Sequence, residues 1–114
     1  MSRDEIMYLQ DITQSCEKIL RFTNGLIQEN LVKDEKTYDA VVRNLEIIGE
    51  AAKNVSKELR DQLPTVEWRK ITGMRDMFTH AYFGIDNNIL CDVVQHKVPQ
   101  LAKAINAFLN KEQH

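Results

Sequence analysis

Apolar residues recur every three or four positions along most of the chain, which is the spacing of one face of an α-helix. The first stripe predicts a helix over about residues 3–29 and consists of Ile6, Leu9, Ile12, Cys16, Ile19, Phe22 and Leu26. A second stripe predicts a helix over about residues 35–63 and consists of Tyr38, Val41, Leu45, Ile48, Ala52, Val55 and Leu59. Asp34 is a suitable N-cap for this helix, and Pro64 ends it because proline cannot continue the hydrogen-bond ladder.

Two further helices are predicted in the second half of the chain. The third follows Thr65 as its N-cap, has Trp68 in its first turn and stops at Gly84. The fourth begins at Asp86 and is interrupted near Pro99, so this region is either a kinked helix or two helices. No segment alternates apolar and polar residues for long enough to predict a strand. We therefore expect an all-α, up-and-down bundle of four to five helices that forms a single domain over residues 1–114.

The composition narrows the class of protein. Only 4 Gly and 2 Pro occur in 114 residues, which is too few for a turn-rich sandwich or barrel. Acidic residues stand where the apolar part of a signal peptide would lie, and no apolar run is long enough to cross a bilayer. Cys16 and Cys91 are far apart, which argues against a disulfide framework or a zinc site recognisable from spacing. These features predict a cytoplasmic protein without a membrane segment or a metal site, and with both cysteines in the core.

The net charge of −2 hides an uneven distribution along the chain. Residues 1–50 contain 6 basic and 10 acidic residues, whereas residues 51–75 contain 6 basic and 3 acidic ones. The basic residues of this middle segment are Lys53, Lys57, Arg60, Arg69, Lys70 and Arg75. The pattern would be explained if acidic and basic residues lie on different solvent-exposed faces of the helices. An electrostatic footprint for an anionic partner would also explain it.

Apolar residues also occur outside the main stripes of the first two predicted helices. They are Met7, Leu20, Ile27, Val42 and Ile47. A bundle this small, with two long helices, leaves apolar surface at its edges. We therefore expect a homodimer with twofold symmetry, which is the commonest oligomeric arrangement.

Residues 71–84 concentrate four side chains suited to chemistry: Arg75, Asp76, His80 and Tyr82. On a helix, Asp76 and His80 are an i,i+4 pair on one face. The carboxylate could then hold one imidazole nitrogen and leave the other for general acid–base catalysis. Arg75 offers a planar, permanently charged fork for a phosphate.

The spacing of Arg75 and His80 raises a geometric difficulty. The two residues are five positions apart, which places them about 140° apart around a regular helix at ~100° per residue. They can face one small target only if the helix ends or distorts between them, or if two protomers contribute different members. A cluster of surface ion pairs is the alternative interpretation of the same residues.

The motif Arg75-x4-His80-x-Tyr82 resembles the Arg-x4-His-x-Tyr motif of the HepT-like proteins, a branch of the HEPN superfamily of small helical ribonucleases and nucleotide-associated domains. Flanking blocks extend the resemblance to about residues 1–110, and they are RNLEIIGEAA at 43–52, WRKITGMR at 68–75 and HAYFGID at 80–86. The resemblance implies the helical bundle of the HEPN fold. One difference lies at position 76, which is often Asn in relatives and is Asp76 here.

The resemblance also implies a function. Its members are toxins of two-gene toxin–antitoxin modules whose antitoxin is a minimal nucleotidyltransferase. Such a toxin is a homodimeric, metal-independent endoribonuclease that needs no cofactor, and on this chain Arg75 and His80 would be its catalytic residues near a cleft at the dimer interface. Asp76 would support them by orienting His80. The antitoxin would transfer AMP from ATP to Tyr82 and thereby block the site.

A second interpretation remains open from the sequence. The chain could be a non-catalytic, dimeric nucleotide- or RNA-binding partner subunit of a minimal nucleotidyltransferase, with Arg75 binding phosphate only.

Two residues of the second predicted helix are assigned structural roles. Glu50 is predicted to be a structural partner of an arginine rather than a catalytic group, and Arg43 lies on the same helix face. Gly49, beside it, would let another backbone come close. His96 is predicted to be a solvated histidine.

Overall fold

Helices account for nearly all of the regular structure in the chain. The computed structural model describes residues 1–79 and 84–112, and within these ranges there is no β-strand. The helices are α1 (Arg3–Thr23), α2 (Gln28–Lys33), α3 (Glu35–Lys53), α4 (Lys57–Asp61), α5 (Trp68–Thr79), α6 (Asn87–Asp92) and α7 (Val98–Glu112), and a π-helical segment, Val93–Lys97, joins α6 to α7. The predicted all-α fold class is confirmed.

Side-chain caps explain where several helices begin. Ser2 and Glu5 form a reciprocal capping box at the start of α1. The Asp34 carboxylate accepts a hydrogen bond from the backbone N–H of Thr37 at 3.2 Å, which confirms it as the predicted N-cap of α3. Asp86 likewise accepts from the backbone at the start of α6, so the predicted start of the fourth helical region is also confirmed.

The first two predicted helices are each divided in the structure. The helix predicted over residues 3–29 ends at Thr23, because Gly25 has a φ of +79° and turns the chain before α2. The helix predicted over residues 35–63 ends at Lys53, and Ser56 caps α4 by accepting from the N–H of Leu59 at 3.2 Å. The Arg60 side chain satisfies the carbonyl of Ala52 at this end of α3, at 2.9 Å.

The third helix begins two residues later than predicted. Thr65 is not its N-cap, because the first backbone hydrogen bond of α5 runs from the N–H of Ile71 to the carbonyl of Glu67 at 3.0 Å. Trp68 lies in the first turn as predicted, and its indole N–H donates to the carbonyl of Leu63 at 3.2 Å. This bond ties the start of α5 to the chain just after α4.

The predicted interruption near Pro99 takes the form of a wider helical turn. The N–H of Val98 donates to the carbonyl of Val93, five residues earlier, which is the π-helical pattern. Pro99 has no N–H to donate. The helical path therefore continues from α6 into α7, which matches the first of the two predicted alternatives.

The helices pack around a shared core, and α1 and α3 run in opposite directions within it. Helix α3 packs against both α1 and α5, and α1 also packs against α7. Tyr8, near the start of α1, lines the same groove as Asn54, just after the end of α3. The core contains most of the predicted stripes, but Phe22 of the first stripe is exposed, contrary to the prediction. The most buried large side chains are Leu9, Ile12, Ile19, Leu45, Ile48, Leu59, Leu90 and Ile105. No helix within the described ranges has the length and apolar character needed to cross a membrane.

Both cysteines lie in this core as predicted, without a disulfide bond. Burial raises the pKa of the Cys16 thiol to about 12 and also raises the pKa of Cys91.

The five apolar residues that lie outside the main stripes of the first two predicted helices divide into two groups. Met7, Leu20 and Ile27 are exposed, whereas the other two are partly buried.

Candidate active site

A glycine brings helices α3 and α5 into direct backbone contact. A Cβ atom placed on Gly49 would lie 2.9 Å from both the Cβ and the backbone nitrogen of Arg75, which is closer than real Cβ contacts. The absence of a side chain at Gly49 is thus what allows α5 to lie against α3 at the position of Arg75. The predicted close approach of another backbone at Gly49 is confirmed.

Substituting Gly49 with alanine should therefore destabilise the fold. The added methyl group must push α5 away, and overpacking of this kind costs about 1–3 kcal/mol, of which the better helix propensity of alanine recovers about 1. We expect the midpoint of thermal unfolding to fall by about 4–8 °C. Gly73→Ala is the matched control on α5, because a Cβ at Gly73 meets nothing within 4 Å. Gly73→Ala should raise the midpoint of thermal unfolding. Equal midpoints for Gly49→Ala and Gly73→Ala would contradict the close contact between Gly49 and Arg75.

The close approach places a carboxylate against the arginine of the predicted motif. The Nε of Arg75 lies 2.7 Å from a carboxylate oxygen of Glu50, the residue after Gly49. A planar guanidinium held at Nε has its orientation restricted, while the terminal amino groups still carry donors. Glu50 is the structural partner of an arginine, as predicted, but that arginine is Arg75. Arg43 instead lies 3.6 Å from Glu46, within its own helix.

Asp76 lies beside this pair on the solvent side. Its carboxylate is 3.9 Å from a terminal nitrogen of Arg75, and its side chain is 72% exposed. The Arg75 side chain is 39% exposed, so the guanidinium is packed on one side and open on the other. A carboxylate in this position reduces the local positive charge but remains well solvated, which limits its effect.

Arg75 separates two grooves on the surface. One, of about 400 Å³, is lined by Tyr8, Asp11, Arg43, Glu46, Ile47, Glu50, Ala51, Asn54 and Arg75. The other, of about 240 Å³, is lined by Lys53, Arg60, Arg69, Thr72, Gly73, Arg75 and Asp76, and we call it the basic groove. It unites four members of the basic segment recognised in the sequence, which the spacing of those residues did not predict.

The structure describes some of the remaining predicted site residues but not others. His80 and Tyr82 lie outside the described residues, so the predicted pairing of Asp76 with His80 stays a prediction. His96 is 63% exposed, as predicted, and its Nδ1 lies 2.9 Å from a carboxylate oxygen of Asp92. Across residues 1–79 and 84–112, no three His, Cys, Asp or Glu side chains are grouped so that they could hold a metal ion.

Comparison with known proteins decides the family. The family model described as ribonuclease HepT-like matches residues 12–108, which include the whole of α3 and α5 and the motif residues 75–82. The chain belongs to the HepT-like ribonuclease family. This membership confirms the family resemblance seen in the sequence.

Two relatives show how far the similarity of this HepT-like chain extends. "Putative RNase TTE0752" of Caldanaerobacter subterraneus subsp. tengcongensis is 42% identical over 105 residues, covering 92% of this chain and 94% of the relative. "Probable ribonuclease HepT" of Thermococcus cleftensis is 42% identical over 101 residues, covering 89% of this chain and 92% of the relative. No solved structure gives a significant match.

Proposed function

We propose that this chain is a metal-independent endoribonuclease that acts as the toxin of a two-gene toxin–antitoxin module. In this proposal residues 1–114 form a single domain, and two copies associate as a homodimer in the cytoplasm. The observation that carries it is the ribonuclease family match across the Arg75 motif, together with the restraint of Arg75 by Glu50 at the edge of a basic groove. The exposed apolar residues Met7, Leu20 and Ile27 support the dimer, because burying them would be favourable.

The chemistry needs only proton transfer and charge stabilisation. RNA carries its own nucleophile, the ribose 2′-OH, next to each phosphate. In the proposed mechanism His80 removes the proton from this hydroxyl or protonates the leaving 5′ oxygen, and His80 of the second protomer takes the complementary role. The 2′ oxygen attacks phosphorus, the bond to the 5′ oxygen breaks, and the products end in a 2′,3′-cyclic phosphate and a 5′-OH.

Arg75 is suited to stabilise the charge that develops on the phosphate. Its guanidinium is held at Nε by Glu50 at 2.7 Å, so its orientation is largely set before RNA binds. The terminal nitrogens can then donate to the non-bridging oxygens of the phosphate. We assign Asp76 a supporting role in orienting His80, from the i,i+4 spacing of the two residues.

The decisive experiment is RNA cleavage by the purified, unmodified protein in the presence of EDTA. We expect single-stranded RNA to be cut to products with 2′,3′-cyclic phosphate ends, and DNA of the same sequence to remain intact because it lacks the 2′-OH. Light scattering at micromolar concentration should give the mass of a dimer. Loss of cleavage in EDTA would contradict the metal-independent mechanism. RNA binding without any cleavage would favour the non-catalytic partner subunit instead.

Modification of Tyr82 is the proposed means of neutralisation. We propose that a minimal nucleotidyltransferase antitoxin transfers AMP from ATP to the phenolic oxygen of Tyr82, with release of pyrophosphate. The added phosphate is an anion two residues from His80 in the chain, so it would repel RNA phosphates and pair with Arg75.

Protein produced together with its antitoxin should therefore gain mass in steps of one adenylyl group. Intact mass spectrometry should show the increments on wild-type protein and none on Tyr82→Phe, which lacks the acceptor oxygen. Tyr38→Phe is the control, because Tyr38 is engaged elsewhere, with its hydroxyl donating to the side chain of Asn87 at 2.6 Å. Increments that persist in Tyr82→Phe would place the modification on another residue.

A further inference from the structure

The basic groove is formed by three helices and carries little compensating negative charge. Lys53 lies at the end of α3, Arg60 on α4 and Arg69 on α5, while Asp76 is the one carboxylate among the residues that line the groove. Lys53 and Arg69 are exposed, and neither forms an ion pair with any residue in the described ranges. Their charges are therefore available to an anionic ligand.

Other basic residues on the surface are already paired with a carboxylate, so their charges are not available in the same way. Lys70 lies 2.7 Å from a carboxylate oxygen of Glu67, and Lys97 lies 3.1 Å from the other oxygen of the same carboxylate. These contacts raise the pKa of Lys70 and lower the pKa of Glu67. Lys70 and Lys97 are thus balanced by a carboxylate of the protein, whereas Lys53 and Arg69 in the groove are not, as far as the described residues show.

Arg60 makes the wall of the groove rigid. Its Nε donates to the carbonyl of Val55 at 3.1 Å and a terminal nitrogen donates to the carbonyl of Ala52 at 2.9 Å. The guanidinium carbon also lies 5.6 Å from the centroid of the Trp68 ring. A cation held in this way contributes a fixed positive charge without losing further side-chain entropy when a ligand binds.

Gly73 gives the groove space that the fold does not require. It lies inside α5, where glycine is less favourable than alanine by about 1 kcal/mol. A Cβ at this position would meet no atom within 4 Å, in contrast to Gly49, where the packing of α3 on α5 excludes one. Nothing in the described part of this chain therefore explains the missing side chain. Room for a ligand backbone in the groove explains it.

We propose that the basic groove binds the sugar–phosphate backbone of single-stranded RNA beside the phosphate held by Arg75. This inference rests on the proposed ribonuclease function and assigns the contacts of the substrate outside the cleavage site. Arg69 and Arg75 are six residues apart on α5, or about 9 Å along the helix axis, so the two side chains serve different phosphates. Because the lining is mainly cationic, with Asp76 as the one carboxylate, most of the affinity should come from phosphate contacts that do not depend on sequence.

The test is binding of a labelled RNA whose ribose groups are all 2′-O-methylated, measured by fluorescence anisotropy over a range of salt concentrations. This probe lacks the nucleophile and cannot be cleaved by the proposed mechanism. Lys53→Gln and Arg69→Gln should each raise the Kd by roughly tenfold and lower the slope of log K against log salt by about 0.7, the value for one phosphate contact on a single strand. Lys70→Gln, the matched control outside the groove, should leave both quantities unchanged.

Gly73→Gln takes space from the groove but removes no positive charge, so it tests the two contributions to binding separately. Gly73→Gln should bind the probe more weakly while its unfolding midpoint stays equal to that of the wild type or rises, because glutamine favours the helix and projects into open space. The proposed RNA binding in the groove would be overturned if Lys53→Gln, Arg69→Gln and Gly73→Gln all kept the affinity and salt slope of the wild type. This holds even if the protein cleaves RNA. Weakened binding in these variants, with no cleavage of ordinary RNA by the wild type, would uphold the groove and refute the ribonuclease.

Discussion

His80→Ala should lower the rate of RNA cleavage by about 10²–10⁴-fold, the usual effect of losing one general acid–base group. In the proposed mechanism no metal ion activates the 2′-OH, so an imidazole must move the proton. Each protomer carries the substitution, so the site that the two protomers share loses both His80 groups, and the loss should be at least that expected for one group. The readout is the initial rate of cleavage of a labelled RNA by unmodified protein in EDTA.

Two comparisons separate a chemical role of His80 from a structural one. Added imidazole should restore part of the activity of His80→Ala, because a free base can enter the space that the side chain leaves. His96→Ala is the matched control, since His96 is exposed and hydrogen bonds only to the adjacent turn, through Asp92. It should cleave at the wild-type rate. Cleavage by His80→Ala at the wild-type rate would remove His80 from the mechanism.

The apolar periodicity predicted the long helices because their packing faces are nearly continuous. It missed the end of α3 for the same reason. Val55 and Leu59 continue the stripe beyond Lys53 and are both buried, although the chain turns between them. Local hydrogen bonds decide the break, since the Ser56 hydroxyl caps the next helix and the Arg60 side chain binds the carbonyl of Ala52 at the end of α3. An apolar pattern carries no information about such bonds.

The site could be predicted only as far as it is local in the sequence. Gly49 was a usable signal, because a glycine inside a strongly helical segment indicates close approach of another backbone. The partner of Glu50 was not, since Arg75 is 25 positions away in the chain and Arg43 is nearer in sequence. The basic groove depends on how α3, α4 and α5 meet, and the charge count over residues 51–75 indicated only that cations were available.

The packing of α3 on α5 bears on the geometric difficulty of the motif. Arg75 is directed by the contact with Gly49 and by the ion pair with Glu50, and both lie on the α3 side of α5. On a regular helix a residue five positions later would point about 140° away. A site shared by two protomers relieves this conflict for Arg75 of one protomer and His80 of the other, which is one of the alternatives that the spacing left open.

Arg75→Ala should lower the cleavage rate by about 10²–10³-fold, which is the cost of removing one preorganised donor to a developing anionic charge. The fold should survive the change. Glu50 is 56% exposed, so water can solvate its carboxylate once the partner is gone, and an ion pair this exposed contributes at most about 1 kcal/mol. The unfolding midpoint should consequently stay within a few degrees of that of the wild type, which separates an effect on chemistry from an effect on stability.

The conservative variants show which property of Arg75 matters. Arg75→Lys keeps the charge but lacks the planar fork, so it should recover only part of the lost rate. Glu50→Gln keeps the arginine and loses the charge that restrains it, and a loss of about tenfold, mainly in kcat, would indicate that Glu50 positions the guanidinium. Arg43→Ala removes an arginine from the neighbouring groove and should cleave normally. If Arg75→Ala retained wild-type cleavage, the charge on the phosphate would have to be stabilised by another residue, and the function proposed from this geometry would lose its support.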